Sequence, residues 1–125
     1  MRIEMRFHPF APSFALLSCA LCLSAAFAGC RSLPPSKPES QWTAEEARGA
    51  AVYQQACARC HYPTNTHSLH GPGLQAITKV QAMPSGAPPT DERLTAVILH
   101  GRNMMPATPL SDAQLSDLLA YIHTL

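Results

Sequence analysis

Cys57-Ala58-Arg59-Cys60-His61 sets two thiols three residues apart and an imidazole on the next position. Residues i and i+3 share one side of a helical turn, so both sulfurs can reach one partner while the imidazole follows beside them. Several chemistries use thiols placed this way. A thioredoxin-type pair belongs in a βαβ context, and no such pattern surrounds these residues. A zinc site could recruit Cys57, Cys60, His67 and His70, but the spacing lacks the usual ββα pattern. A Cys57–Cys60 disulfide is open to an exported chain. The remaining reading is C-x-x-C-H as a site of covalent c-type haem attachment. The two thiols would add to the two vinyl groups of one porphyrin. His61 would reach the iron through Nε2, and its Nδ1–H would then need an acceptor to fix the ring.

The other three cysteines lie upstream. Residues 13–28 carry no charge, and Arg2 and Arg6 precede them against a single Glu4. A short positive region followed by such an apolar run reads as an export signal; it falls short of the ~20 residues of a membrane span. Ala26-Phe27-Ala28 suits an ordinary signal peptidase, whereas Phe27-Ala28-Gly29-Cys30 resembles a bacterial lipobox with Phe where Leu is usual. We favour residues 1–29 as a lipoprotein-type signal, because that reading explains Cys30; ordinary cleavage leaves an odd free thiol. The resemblance implies several acyl chains on Cys30, and stable anchoring takes more than one. Residues 30–41 then form a Pro-rich tether. Its eleven residues after Cys30 would span roughly 34 Å at ~3.1 Å each.

Removing the signal leaves three cysteines, too few for a disulfide-dense scaffold or a four-Cys zinc site. From Cys30 onward the chain has seven Lys and Arg against seven Asp and Glu. It is formally neutral and offers no basic stripe for nucleic acid.

Residues 42–125 read as one all-α domain with three helices. Thr43 and Glu46 make a capping box for the first, in which Gly49 lies four residues before Tyr53 and suggests a close helix crossing. The second starts at Thr90, carries Leu94, Val97 and Ile98, and stops at Gly101. The third is capped by Ser111 and Gln114, with a stripe of Leu115, Leu118, Leu119 and Ile122. Pro- and Gly-rich connectors join them, and nothing reads as a strand. Three short helices in 84 residues make a thin core, so something else should fill the middle.

Taken together, these landmarks resemble class I (mono-haem) cytochrome c over Trp42–Leu125. Gly49 and Tyr53 precede Cys57-x-x-Cys60-His61; Gly71-Pro72-Gly73-Leu74 follows it; Gly101-Arg102-Asn103-Met104-Met105-Pro106 follows the second helix; Tyr121 sits in the last. The resemblance implies helices wrapped around one covalent haem c, with Gly49, Tyr53 and Tyr121 at the crossing of the first and last helices. It implies that the Pro72 carbonyl accepts from His61 Nδ1–H. It also implies Met105 as the distal iron ligand, from its place before Pro106 on the loop between the last two helices. Met83, Met104, His67, His70 and His100 are the other candidates. A Met thioether suits haem iron and raises its potential.

With both axial positions filled, such a protein is an electron carrier and not an enzyme. Its partners would be redox proteins or a larger respiratory or dehydrogenase complex, met on the periplasmic side of a bacterial membrane, the outer one included, through a lipid anchor on Cys30. A haem enzyme subunit or gas sensor with a labile sixth ligand, and a non-haem zinc lipoprotein, are the competing readings.

Overall fold

Thr43 and Glu46 start the first helix by bonding each other's backbone. Glu46 N–H donates to Thr43 Oγ1 at 3.2 Å, and Thr43 N–H donates to Glu46 Oε2 at 2.6 Å. Helix α1 then spans Ala44–Ala56. Ser111 and Gln114 repeat the device at 3.3 and 3.0 Å, ahead of α3, Asp112–Ile122. Between them lies α2, Asp91–His100. Thr90 makes no side-chain cap there, and the acidic Asp91 and Glu92 sit in the positive first turn instead. The three helices start where the sequence places them. Among the described residues there is no strand, only an isolated antiparallel bridge between Arg102 and Met105. The computed structural model describes residues 32–125; the expected signal and Cys30 lie outside the described residues. No helix among the described residues is long and apolar enough to cross a membrane.

Gly49 is the pivot of the fold. A Cβ there would fall on the Asp117 carbonyl and lie 2.8 Å from Tyr121 Cβ. Only hydrogen at this position lets α1 and α3 approach so closely. Either side of the crossing is tied down: Arg48 makes a two-pronged pair with Asp117 at 2.8 and 2.7 Å, and Ser116 Oγ donates to Glu45 at 3.1 Å. Below it, Tyr53 and Tyr121 pack with ring centroids 5.3 Å apart. Both are buried together with Leu94, Ile98, Leu118, Ile122 and Leu125. α2 therefore joins the core through two side chains one turn apart. Its N-terminus is also held to the end of α3, where His123 Nε2 lies 2.8 Å from Asp91.

The stretch expected as a free tether behaves differently. The compact unit begins at Leu33. Lys37 N–H donates to the Thr124 carbonyl at 2.6 Å, and Lys37 Nζ grips Glu46 at 2.7 Å. Trp42 Nε1–H donates to the Lys37 carbonyl at 3.1 Å, while its ring meets Tyr121 edge-on at 5.3 Å. Gln75 reaches the Pro34 carbonyl at 3.3 Å, and Glu39–Gln41 forms one tight helical turn. The prolines that suggested a spacer fix φ in advance, so ordering this segment costs less backbone entropy. It is a strap across the end of α3, not a spacer.

Candidate functional site

The end of α1 presents the C-x-x-C-H residues. Both Cys57 N–H and Ala58 N–H donate to the Tyr53 carbonyl, at 2.8 and 3.1 Å. Cys60 N–H and His61 N–H then both donate to the Cys57 carbonyl, at 3.0 and 3.1 Å. The bond from Ala58 reaches back five residues and widens the end of α1, and a further turn closed on the Cys57 carbonyl follows; Cys57, Cys60 and His61 border the same space. Both thiols are free and half-buried. Burial, and next to it the neighbouring Cys60, pushes the Cys57 thiol up from its ordinary pKa. Tyr53 adds a second hold, because its hydroxyl donates to the His61 carbonyl at 2.6 Å. Burial holds that phenol firmly in its neutral form.

The His61 ring is fixed from the other side. Its Nδ1 lies 2.8 Å from the Pro72 carbonyl oxygen. A carbonyl can only accept, so Nδ1 carries the proton and Nε2 keeps its lone pair free for a metal. Gly71 makes this contact possible. A Cβ there would fall on the imidazole, 2.8 Å from Nδ1 and 2.9 Å from Nε2. The loop is in turn pinned by Gly71 N–H to the Cys60 carbonyl at 2.8 Å and by Leu74 N–H to the Tyr62 carbonyl at 2.8 Å.

These groups open on an apolar cavity of about 460 Å³. Its wall includes Leu74 and Ile77 from the loop after His61, Val97 and Ile98 from α2, and Leu118 and Ile122 from α3. Volume and lining suit a large, flat, largely apolar ligand, and the two thiols and the Nε2 lone pair are the donor set of a covalently held haem. The residues fit that group. Arg102 is the one residue with a permanent charge among those lining the cavity, and a guanidinium suits the carboxylates of a porphyrin.

Three methionines line the cavity, and the structure treats them differently. Met105 is half-buried and packs against the core. Met83 also packs against the core, from the segment before α2. Met104 is 90% exposed, at the tip of a turn. His70 reaches the wall; His67 and His100 do not line the cavity. Among the described residues no three His, Cys, Asp or Glu side chains cluster closely enough to share a metal ion. Cys57, Cys60, His67 and His70 therefore do not come together as a zinc site.

Three features escaped sequence reasoning. The Tyr53 hydroxyl bond was hidden behind the helix-crossing role that spacing gives the ring. The need for Gly at position 71 depends on where the His61 ring lies in space. Arg102 reaches the cavity only because of the turn that follows α2; an Asn at position 103, a residue that favours turns, was the available signal.

The family described as cytochrome C oxidase, cbb3-type, subunit III matches residues 33–122 of the chain. A curated relative, cytochrome c-552 of Bradyrhizobium diazoefficiens, is 28% identical over 90 residues. The aligned region covers 72% of this chain and 84% of that relative. The family match begins where the docked strap begins, at Leu33.

Proposed function

We propose, since the chain belongs to the family described as cytochrome C oxidase, cbb3-type, subunit III, and so is a class I mono-haem c-type cytochrome carrying covalently bound haem c, that it passes single electrons between extracytoplasmic redox partners with His61 and Met105 as the axial pair. The observation that carries this reading is that Cys57, Cys60, His61 and Met105 all line one apolar cavity. The bound haem supplies a one-electron iron(II)/iron(III) couple. The chain's own part is to hold and shield it. Cys57 and Cys60 fasten the porphyrin. The Pro72 carbonyl holds His61 in the tautomer that leaves Nε2 for the iron. Met105 closes the sixth position, so no site is left for substrate. The apolar wall keeps water away and disfavours the extra charge of the oxidised state, which together with a thioether ligand raises the potential.

Cys30, with Phe27-Ala28-Gly29 before it, would carry the lipid that tethers the domain to the periplasmic face of a bacterial membrane. Its partners are then redox proteins at that surface, or a larger respiratory or dehydrogenase complex of which it is the mobile or resident electron-carrying part.

Expression with haem-attachment machinery, followed by oxidised and reduced spectra, tests this. The expected result is a sharp c-type α band together with the far-red absorption of Met–iron(III). Met105→Ala should abolish the far-red band, while Met104→Ala and Met83→Ala keep it. A purified protein without covalent haem would overturn the proposal. Mass spectrometry of the mature N-terminus reads the anchor directly: an unmodified start at Gly29 rules lipidation out.

A further inference from the structure

Two methionines stand side by side at 104 and 105; both border the cavity, and one turn decides which of them packs on the core and which is left exposed. α2 ends at Gly101, whose φ of 74° and ψ of 173° form a combination essentially confined to glycine. A Cβ there would meet the Met105 carbonyl oxygen at 2.5 Å and the Ala107 nitrogen at 2.8 Å. The chain then folds back on itself. Arg102 N–H donates to the Met105 carbonyl, and Met105 N–H donates to the Arg102 carbonyl, both at 2.9 Å. This reciprocal pair closes a two-residue turn of Asn103 and Met104. Asn103 lies at φ 53°, in the left-handed region that Asn tolerates far better than branched residues. Thr108 N–H donates to the Ile98 carbonyl at 2.9 Å and fixes the exit of the loop onto α2. The result is a 90% exposed Met104 beside a Met105 packed on the core.

A slip of one residue would bring Met104 to the place of Met105. It would also move the left-handed position from Asn103 to Arg102 and break both bonds of the pair. We infer that Gly101 and Asn103 are positioning residues: they lock the register of the turn so that Met105, and never Met104, is offered to the iron. This rests on the reading above in which Met105 is the distal ligand.

The test uses the haem-loaded protein and three readouts: the far-red band, the reduction potential, and imidazole binding to the ferric form. Covalent haem and unchanged helical circular dichroism establish that each variant has folded. Asn103→Gly admits the left-handed conformation and should match the unaltered protein. Asn103→Val should weaken the far-red band and bind imidazole at least tenfold more tightly, because an incoming ligand competes with a Met that is in place less of the time. If Asn103→Val and Asn103→Gly behave alike in all three readouts, the lock is overturned. Gly101→Ala should behave as Asn103→Val does, and the Asn103 pair stands if that variant fails to fold. In Met105→Ala the far-red band should vanish, since the locked turn keeps Met104 out. A band that survives in Met105→Ala but is lost in M104A/M105A overturns the lock alone. A band that survives in the double variant overturns the Met105 reading and the lock with it.

Discussion

Arg102 takes part in the site twice, once through its backbone and once through its side chain. The backbone closes the turn that carries Met105, and Arg102 is the one residue with a permanent charge among those lining the cavity. A positive charge beside a redox centre disfavours the more positive, oxidised state. Arg102→Gln should therefore lower the reduction potential. An exposed charge acting through an effective dielectric of 20 or more shifts it by on the order of tens of millivolts. Potentiometric titration at low and at high salt checks both sign and origin, since salt should shrink the difference. A potential unchanged by Arg102→Gln would leave the backbone as the residue's whole contribution. Gly71 is the complementary case, a residue that contributes by having no side chain at all. The His61 ring occupies the space a Cβ would need.

At the scale of the elements, the α1–α3 crossing and the strap carry the fold. Gly49→Ala puts a carbon against the Asp117 backbone carbonyl, and backbone cannot swing aside as a side-chain tip can. Overpacking of this kind costs about 1–3 kcal/mol, and the upper half of that range is expected here. Denaturant unfolding of the haem-loaded protein measures it. A variant of unchanged stability would mean that the two helices can part without loss. The two ion pairs add a pH dependence. Glu46 is held below its ordinary carboxylate pKa, first by the Lys37 ammonium and then by the Thr43 backbone N–H. Asp117 is held down by the Arg48 guanidinium. Both carboxylates bind a proton less readily folded than unfolded. Their contribution is complete above the ordinary values of 4.5 and 3.8 and is lost as pH falls through the lower, folded values. Unfolding midpoints should thus decline as pH drops below about 5, with a shallower decline in Lys37→Ala and Arg48→Ala. Equal slopes in all three proteins would remove these pairs as the cause.

On the scale of the whole molecule, the cavity is the largest energetic fact. At about 24 cal/mol per Å³, a dry void of 460 Å³ would cost about 11 kcal/mol. That is comparable to the entire stability of an ordinary domain, about 5–15 kcal/mol. Water entering through the open side lowers the cost but solvates an apolar wall poorly. The chain without haem is therefore expected to keep helices and lose its packed core. C57S/C60S, made without haem attachment, should retain much of its far-ultraviolet circular dichroism while losing the near-ultraviolet signals of Tyr53, Tyr121 and Trp42 and the cooperative thermal transition. A sharp transition with intact near-ultraviolet signals would show that the helices alone suffice.

What was legible in the amino-acid sequence is what depends on neighbours along the chain. Capping boxes need residues three apart, so the starts of α1 and α3 could be read from Thr43–Glu46 and Ser111–Gln114. The apolar stripe of α3 follows from the period of a helix, and Cys57-x-x-Cys60-His61 is a local constellation whose chemistry follows from its spacing. What depended on distant segments was not legible. The Pro-rich stretch before Trp42 has the composition of a spacer, and only the carbonyl of Thr124, the carboxylate of Glu46 and the Tyr121 ring give it something to dock on. The choice between Met104 and Met105 illustrates the limit best. The two residues are chemically identical neighbours, and apart from the Pro106 that follows Met105 no pattern of residue types separates them. They are separated by dihedral angles at Gly101 and Asn103 and by a pair of backbone hydrogen bonds, which exist only once α2 and the core have placed the turn. Sequence by itself thus determined which chemistry the chain can hold, because reactive side chains carry it. The tertiary structure decided which of two like side chains packs on the core and which is exposed, because orientation is a property of the folded backbone.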